Sequence, residues 1–361
     1  MIGIEEIHDI QFSLDKDYIF AITDQGVIFL SSDPDKEVEN YETRDISNIE
    51  LLQSYNNIIA YVQNNKKGSR KMLKIYDDYT KSDIFKIKFD SRIIDLKISI
   101  NGFMVILKEK AYLFNCREGK KDTWKTPKLV KKFKTPENRM GIGCFLSYKT
   151  RNFAILPSER TKVQIYDSKQ SEDIEEFDVE QDYSLLSANL HGEVFALPNE
   201  DGTEIFLHKI FDGSCISSYT RGSSPCQITS IEFDRYCERL ACCSEKETIH
   251  VFSLPKELAS GGVNLEEEKD SQKAAIPIID KTIPPTKLDE RPNQGGGWLW
   301  NSEGKKSYLK VKIESPDKIL TIHNNKLHVI THDLVLYQID IQNLGDFSIG
   351  SKELREIELF E

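Results

Sequence analysis

The sequence predicts an all-β protein, a β-propeller of seven blades, and three observations lead to that prediction. Short runs of β-branched and aromatic residues alternate with polar turns along the chain. The runs come in triplets that recur roughly every 40 to 50 residues, a period typical of propeller blades. Few windows place apolar residues at helical spacing. Sheets of this size bury both faces only by stacking around an axis, so we expect one domain over residues 1–361.

Each triplet follows the same plan as the first, in which runs at 7–12, 18–23 and 27–31 are separated by Asp15-Lys16-Asp17 and Asp24-Gln25-Gly26. The other six triplets follow in chain order: 49–53, 58–63 and 72–76; 93–98, 103–107 and 110–114; 143–146, 153–156 and 163–166; 185–189, 194–197 and 204–210; 228–233, 240–243 and 248–252; 319–322, 327–331 and 335–339.

Composition excludes several classes of function. The chain has 48 Lys and Arg against 59 Asp and Glu, a formal net charge of −11, whereas nucleic-acid binding needs clustered basic residues. No GxSxG, HExxH or Walker motif is present, so we expect no enzyme and no cofactor. The seven cysteines lack zinc-type spacing and are expected to be reduced and mostly buried, with no metal site. No secretory signal or apolar span is visible, which predicts a cytoplasmic protein.

A long insertion interrupts the sixth triplet. Residues 255–306 contain an acidic run, Glu266-Glu267-Glu268, and a glycine run, Gly295-Gly296-Gly297, a composition typical of a flexible loop. Trp298, Leu299 and Trp300 follow, and they include two of the three tryptophans of the protein. These side chains either fold back onto a blade or contact a membrane or a partner.

The stretch 219–254 resembles the PROPPIN family, the WIPI-type phosphoinositide-binding, WD40-like β-propellers of autophagy. It contains Tyr219-Thr220-Arg221-Gly222, a degenerate form of the family's F/L-R-R-G motif, followed by a strand. A strand pair over 240–252 matches the family pattern S-x-K-x-T-[VIL]-H-[VI]-F. The family also carries a long loop between the third and fourth strands of blade six, which here implies a fourth strand within 307–313.

In the family, the two arginines of the motif serve two separate lipid pockets. The first arginine is replaced here by Thr220, and the supporting residues of that pocket are altered, since Ala196-Leu197-Pro198 stands where the family has small hydroxyl residues. The resemblance therefore implies that the first pocket is lost or changed. It implies one retained pocket, on the blade-six side, whose residues are Arg221, Ser244, Lys246, Thr248 and His250.

A phosphomonoester suits such a set, because a guanidinium can offer paired hydrogen bonds to it and hydroxyl and imidazole groups can donate further ones. A single pocket gains from a second membrane contact. The insertion has eight basic and nine acidic residues, which excludes a polybasic mechanism. The mechanism that remains for a second membrane contact is insertion of Trp298, Leu299 and Trp300 into the interfacial layer.

The resemblance thus implies a monomeric scaffold that binds phosphatidylinositol 3-phosphate or 3,5-bisphosphate in autophagy or endosomal trafficking. It would be recruited from the cytoplasm to phagophore, endosomal or vacuolar membranes and would bind autophagy-machinery proteins, but no nucleic acid. Two alternatives stay open. The chain could be a protein-interaction scaffold that has lost lipid binding, and the threonine and histidine of the pocket could belong to a structural hydrogen-bond network within the blade.

Overall fold

The computed structural model consists of strands arranged in seven antiparallel sheets. It describes residues 7–23, 26–32, 41–42, 46, 48–63, 70–117, 124–148, 151–169, 174–179, 182–246, 248–255, 258, 305–306, 309–313, 318–323, 326–331, 335–341 and 355–358. Six sheets have four strands each and the fifth has a short additional strand, and we call the sheets blades one to seven in chain order.

The strands of the first four blades have the following bounds. Blade one contains β1 (Ile7–Phe12), β2 (Tyr18–Thr23), β3 (Val27–Ser31) and β4 (Tyr41–Glu42). Blade two contains β5 (Ile49–Tyr55), β6 (Ile58–Gln63), β7 (Met72–Asp77) and β8 (Ser82–Lys88). Blade three contains β9 (Ile93–Ser99), β10 (Gly102–Leu107), β11 (Lys110–Asn115) and β12 (Lys128–Lys134). Blade four contains β13 (Cys144–Tyr148), β14 (Arg151–Glu159), β15 (Lys162–Asp167) and β16 (Ile174–Asp178).

The last three blades follow the same order. Blade five contains β17 (Ser187–Ala188), β18 (Val194–Pro198), β19 (Glu204–Lys209) and β20 (Cys215–Thr220). Blade six contains β21 (Ile228–Phe233), β22 (Arg239–Ser244), β23 (Thr248–Ser253) and β25 (Leu309–Lys312). Blade seven contains β26 (Lys318–His323), β27 (Lys326–Thr331), β28 (Val335–Asp340) and β29 (Arg355–Glu358). A two-residue strand, β24 (Lys305–Lys306), pairs in parallel with the end of β20.

Burial explains why the second strand of each blade is the most apolar. All six residues of β10 and all five of β18 are buried, because these strands have a neighbouring blade on each face and a hydrogen-bonded strand on each side. The outermost strands are different: β8 and β12 are largely exposed. Sequence periodicity therefore detects the inner three strands of a blade much better than the fourth.

Side-chain packing closes the ring. Seven apolar clusters lie in the described part of the chain, and each joins two consecutive blades. The cluster that joins blade seven to blade one packs Ile330 and Leu336 against Ile10, Ile19 and Leu30. Across the same seam the Gln338 side chain donates a hydrogen bond to the Ser32 carbonyl at 3.1 Å. No described strand is exchanged between blades one and seven, so apolar contacts carry this closure.

The prediction of a seven-bladed, all-β propeller is confirmed. All 21 predicted inner runs overlap observed strands, and the fourth strand predicted within 307–313 is β25. Most of the insertion, 259–304, lies outside the described residues, so its boundaries at 255 and 306 stay a prediction. No described helix is long and apolar enough to cross a membrane.

Candidate phosphoinositide site

The five residues assigned to the retained pocket lie on blade six and on the connection that leads into it. Arg221 follows the last residue of β20, Ser244 ends β22, Thr248 begins β23 and His250 is the third residue of β23. Lys246 lies in the turn between β22 and β23. The antiparallel pairing of those two strands brings the end of one beside the start of the next, so four of the five residues come from one hairpin.

Arg221 is held by backbone carbonyls. Its side chain is only 5% exposed, and Nε donates a hydrogen bond to the Gly202 carbonyl at 2.5 Å. Nη2 donates a second hydrogen bond to the Ser224 carbonyl, while the Arg221 backbone N–H donates to the Thr203 carbonyl at 2.8 Å. Since a guanidinium carries five N–H donors, these side-chain bonds use two of them. The carbonyls fix the plane and direction of the guanidinium without neutralising its charge.

The turn between β22 and β23 brings a second cation to the same carbonyl. Lys246 Nζ donates to the Ser224 carbonyl at 3.4 Å, and the Lys246 backbone N–H donates to Ser244 Oγ at 3.3 Å. Neither Arg221 nor Lys246 forms an ion pair with a carboxylate among the residues that the structure describes. Two positive charges therefore meet at one loop of a chain that is acidic as a whole.

His250 lies in the positive potential of the same cations. Its ring is 4% exposed and stacks on Phe252 at 6.2 Å between ring centroids. Burial, together with the nearby positive charges of Lys310 and Arg221, lowers the pKa of His250 to about 4. The imidazole is therefore neutral at pH 7, with one ring nitrogen able to donate a hydrogen bond and the other able to accept one.

The remaining pocket residues differ in exposure. Ser244 is completely buried, Lys246 is exposed, and Thr248 is half-buried opposite Lys312 of β25. Arg221, Ser244 and His250 are enclosed in the structure, at 5%, 0% and 4% exposure, and Arg221 is hydrogen-bonded to the carbonyl of Ser224 in the connection between blades five and six. The sequence contains no signal for this closure, because it depends on carbonyls that any residue supplies.

The altered first pocket has an acidic neighbour. Thr220, at the position of the missing arginine, is half-buried and pairs with Glu204 across β19 and β20. Residues 196–198 are buried within β18. Trp298, Leu299 and Trp300 lie outside the described residues. The described residues include no cluster of three or more metal-binding side chains.

Comparison with known proteins extends these observations. No family model matches the chain. Autophagy-related protein 18 of Aspergillus clavatus is 24% identical over 278 residues, and the match covers 70% of this chain and 63% of that relative. Autophagy-related protein 21 of Kluyveromyces lactis is 25% identical over 281 residues, 68% of this chain and 70% of that relative. The predicted resemblance to the PROPPIN family is confirmed.

Solved structures of PROPPINs share the fold. Hsv2 of Kluyveromyces lactis, solved with its complete loop 6CD, superposes with a TM-score of 0.69 at 16% identity and covers 99% of this chain and all of its own. Autophagy-related protein 21 of the same yeast, solved in complex with the coiled-coil of a protein designated AgAtg16, gives a TM-score of 0.67 at 16% identity. It covers 97% of this chain and 98% of its own. None of these relatives carries the name of an enzyme.

Proposed function

We propose that this PROPPIN-type propeller is a non-enzymatic scaffold that binds a phosphoinositide headgroup through one pocket on blade six. The observation that carries the proposal is the convergence of Arg221 and Lys246 on the Ser224 carbonyl without a carboxylate among their described partners. A phosphomonoester with close to two negative charges supplies the missing counter-charge. It would take the remaining N–H donors of Arg221, with Thr248 and His250 as additional hydrogen-bonding groups.

One pocket is favoured over two. Thr220 cannot supply the forked hydrogen bonds of an arginine, and the carboxylate of Glu204 on the neighbouring strand repels a phosphate. We therefore propose that the ligand is phosphatidylinositol 3-phosphate or 3,5-bisphosphate bound at the single site that Arg221 defines. Recruitment to phagophore, endosomal or vacuolar membranes follows from that ligand and from the relationship to autophagy-related proteins.

A single headgroup contact holds a protein on a membrane only weakly, so we propose that the insertion supplies a second contact with the bilayer. Trp298, Leu299 and Trp300 would enter the interfacial layer of the bilayer. Replacing both tryptophans by alanine is then expected to reduce liposome recruitment much more than binding of a soluble headgroup. An equal loss of both would contradict this role.

Protein partners belong to the proposal as well. The yeast relative solved with a coiled-coil supports the interpretation that blades of this fold dock components of the autophagy machinery. The second candidate function, a scaffold without lipid binding, is favoured by one observation: Arg221 already bridges the Gly202 and Ser224 carbonyls and could have only this structural role.

Liposome flotation separates the two candidates. The floated fraction is measured for wild type, Arg221→Ala and the control Arg235→Ala on three kinds of vesicle. The vesicles contain phosphatidylinositol 3-phosphate, phosphatidylinositol 3,5-bisphosphate or unphosphorylated phosphatidylinositol. Arg235 is an exposed arginine in the turn between β21 and β22 of the same blade. We expect the first variant alone to lose the phosphoinositide-dependent fraction, whereas equal flotation of all three proteins would support the scaffold without lipid binding.

A further inference from the structure

Among the residues that the structure describes, one end of the propeller carries most of the exposed large apolar side chains. The turns that join first to second strands and third to fourth strands emerge together at this end, which we call the turn face. Phe211, between β19 and β20, is 69% exposed, and Tyr79, between β7 and β8, is 88% exposed. Three other exposed apolar residues lie at the same end, in turns or at the start of a strand: Tyr18, Leu190 and Tyr236. Of these side chains, Phe211 also lines a cleft, which makes it the candidate contact for a partner.

A cleft opens on the turn face between blades four and five. Its volume is 310 Å³, which lies at the lower end of the range of ligand pockets. Phe211 and Phe153 both line the cleft. Phe211 is exposed, whereas Phe153 is buried and the Arg151 guanidinium carbon lies 4.6 Å from its ring centroid. Gly192, at φ +73°, lies so close to Phe153 that an added Cβ would be 2.3 Å from the ring, so only glycine allows this close packing.

The charges of the cleft do not balance. Arg151 donates hydrogen bonds from Nε to both carboxylate oxygens of Asp167 at 2.8 and 3.0 Å, so these two charges offset each other. Glu175, Glu193 and Lys209 also line the cleft. Of the described residues, none forms an ion pair with either glutamate of the cleft. Two acidic groups and one basic group leave the cleft with an excess of one negative charge.

We propose that this cleft binds a short peptide segment in which an apolar side chain is followed or preceded by Lys or Arg. The apolar side chain would pack on the exposed ring of Phe211, and the cation would pair with Glu193 and Glu175. Charge complementarity selects this partner, since an anionic bilayer or a phosphoinositide headgroup would be repelled by the two glutamates. A concave cleft of 310 Å³ also fits side chains of a peptide better than a flat bilayer surface.

The cleft is separate from the candidate lipid site. Phe211 precedes β20 and Arg221 follows it, so the two lie at opposite ends of the same strand. A protein bound at the cleft would therefore leave the Arg221 loop accessible. The propeller could hold a lipid and a peptide at the same time.

The test uses the full chain and two labelled peptides. The first is fluorescein-Gly-Arg-Leu-Phe-Arg-Gly-amide, and the second has glutamate in place of both arginines. In fluorescence anisotropy titrations we expect saturable binding of the arginine peptide only. Glu193→Lys combined with Glu175→Lys is expected to weaken that binding about tenfold, and Phe211→Ala about fivefold.

A charge reversal in the opposite direction provides the matched control. Lys209→Glu adds an acidic group to the same cleft and is expected to tighten binding of the arginine peptide. Tyr79→Ala, at an exposed aromatic residue of blade two, and Arg221→Ala are expected to leave it unchanged. Thermal melts check that each variant is folded. The proposal is overturned if neither peptide binds up to 1 mM, if both bind equally, or if only anionic vesicles respond to Phe211→Ala.

Discussion

His250 makes the stability of this propeller depend on pH in a way that one substitution removes. The pKa of the imidazole is about 4 in the folded chain because burial and two nearby cations disfavour its charged form, against 6.5 for an ordinary histidine. Between these two values the unfolded chain binds a proton that the folded chain does not. The contribution of this residue to stability is therefore complete above pH 6.5 and falls as the pH decreases from 6.5 to 4.

The size of the effect follows from these two pKa values. An imidazole with a pKa of about 4 when folded and 6.5 when unfolded lowers the free energy of unfolding by about 2 kcal/mol between pH 7 and pH 5. Glutamine at position 250 cannot titrate, so His250→Gln removes this term while every other titrating group is kept. The loss of stability between pH 7 and pH 5 should then be about 2 kcal/mol smaller in the variant than in wild type.

Urea unfolding, followed by tryptophan fluorescence at pH 7, 6 and 5, gives the free energy of unfolding of wild type and of His250→Gln. Asn, Gln and Ser variants at position 250 should behave alike, because only the titration matters. Identical pH dependence of wild type and His250→Gln would refute the reasoning, since it would mean that the imidazole is solvated or paired with an acid in the folded chain.

Three further predictions concern packing, backbone and thiols. Leu336→Ala, at the seam between blades seven and one, should cost about 3 kcal/mol in urea unfolding, whereas Leu129→Ala on the exposed strand β12 should cost well under 1 kcal/mol. Gly202→Ala should destabilise the chain by more than about 1 kcal/mol and weaken phosphoinositide binding. The reason is that φ of Gly202 is +62° and the new Cβ would lie 2.0 Å from the Cys226 carbonyl oxygen. Unchanged melting temperature and unchanged flotation would contradict this prediction. Cys226 and Cys144 are both half-buried, and Cys226 should react with iodoacetamide faster in the native protein, since burial raises the pKa of Cys144 to about 11. Mass spectrometry of digested peptides gives both rates.

The sequence predicts the inner strands well and the outer strands poorly, for a physical reason. The second strands are buried on both faces and consist of continuous apolar runs, such as β10, which identify them without any partner. The outermost strands β8 and β12 have one open edge, and most of their residues are exposed. Their composition matches that of a loop, and only hydrogen bonding to the neighbouring strand makes them β-structure.

The candidate site was likewise predictable only in part. The resemblance to the PROPPIN family was sufficient to nominate Arg221 and His250, and their role in binding stays a prediction. The enclosure of Arg221 was not predictable, since it depends on hydrogen bonds to the carbonyls of Gly202 and Ser224. The cleft beside Phe211 gave no sequence signal either, because one of its glutamates comes from a strand of blade four and the other from a turn of blade five.

The central claim is that Arg221 binds a phosphoinositide headgroup. Isothermal titration of wild type, Arg221→Ala and Arg235→Ala with dibutanoyl phosphatidylinositol 3-phosphate tests it without a membrane. We predict saturable binding to one site in wild type and in Arg235→Ala, with affinity at least about tenfold lower in Arg221→Ala. Equal binding to all three proteins, or no binding to wild type, would contradict it.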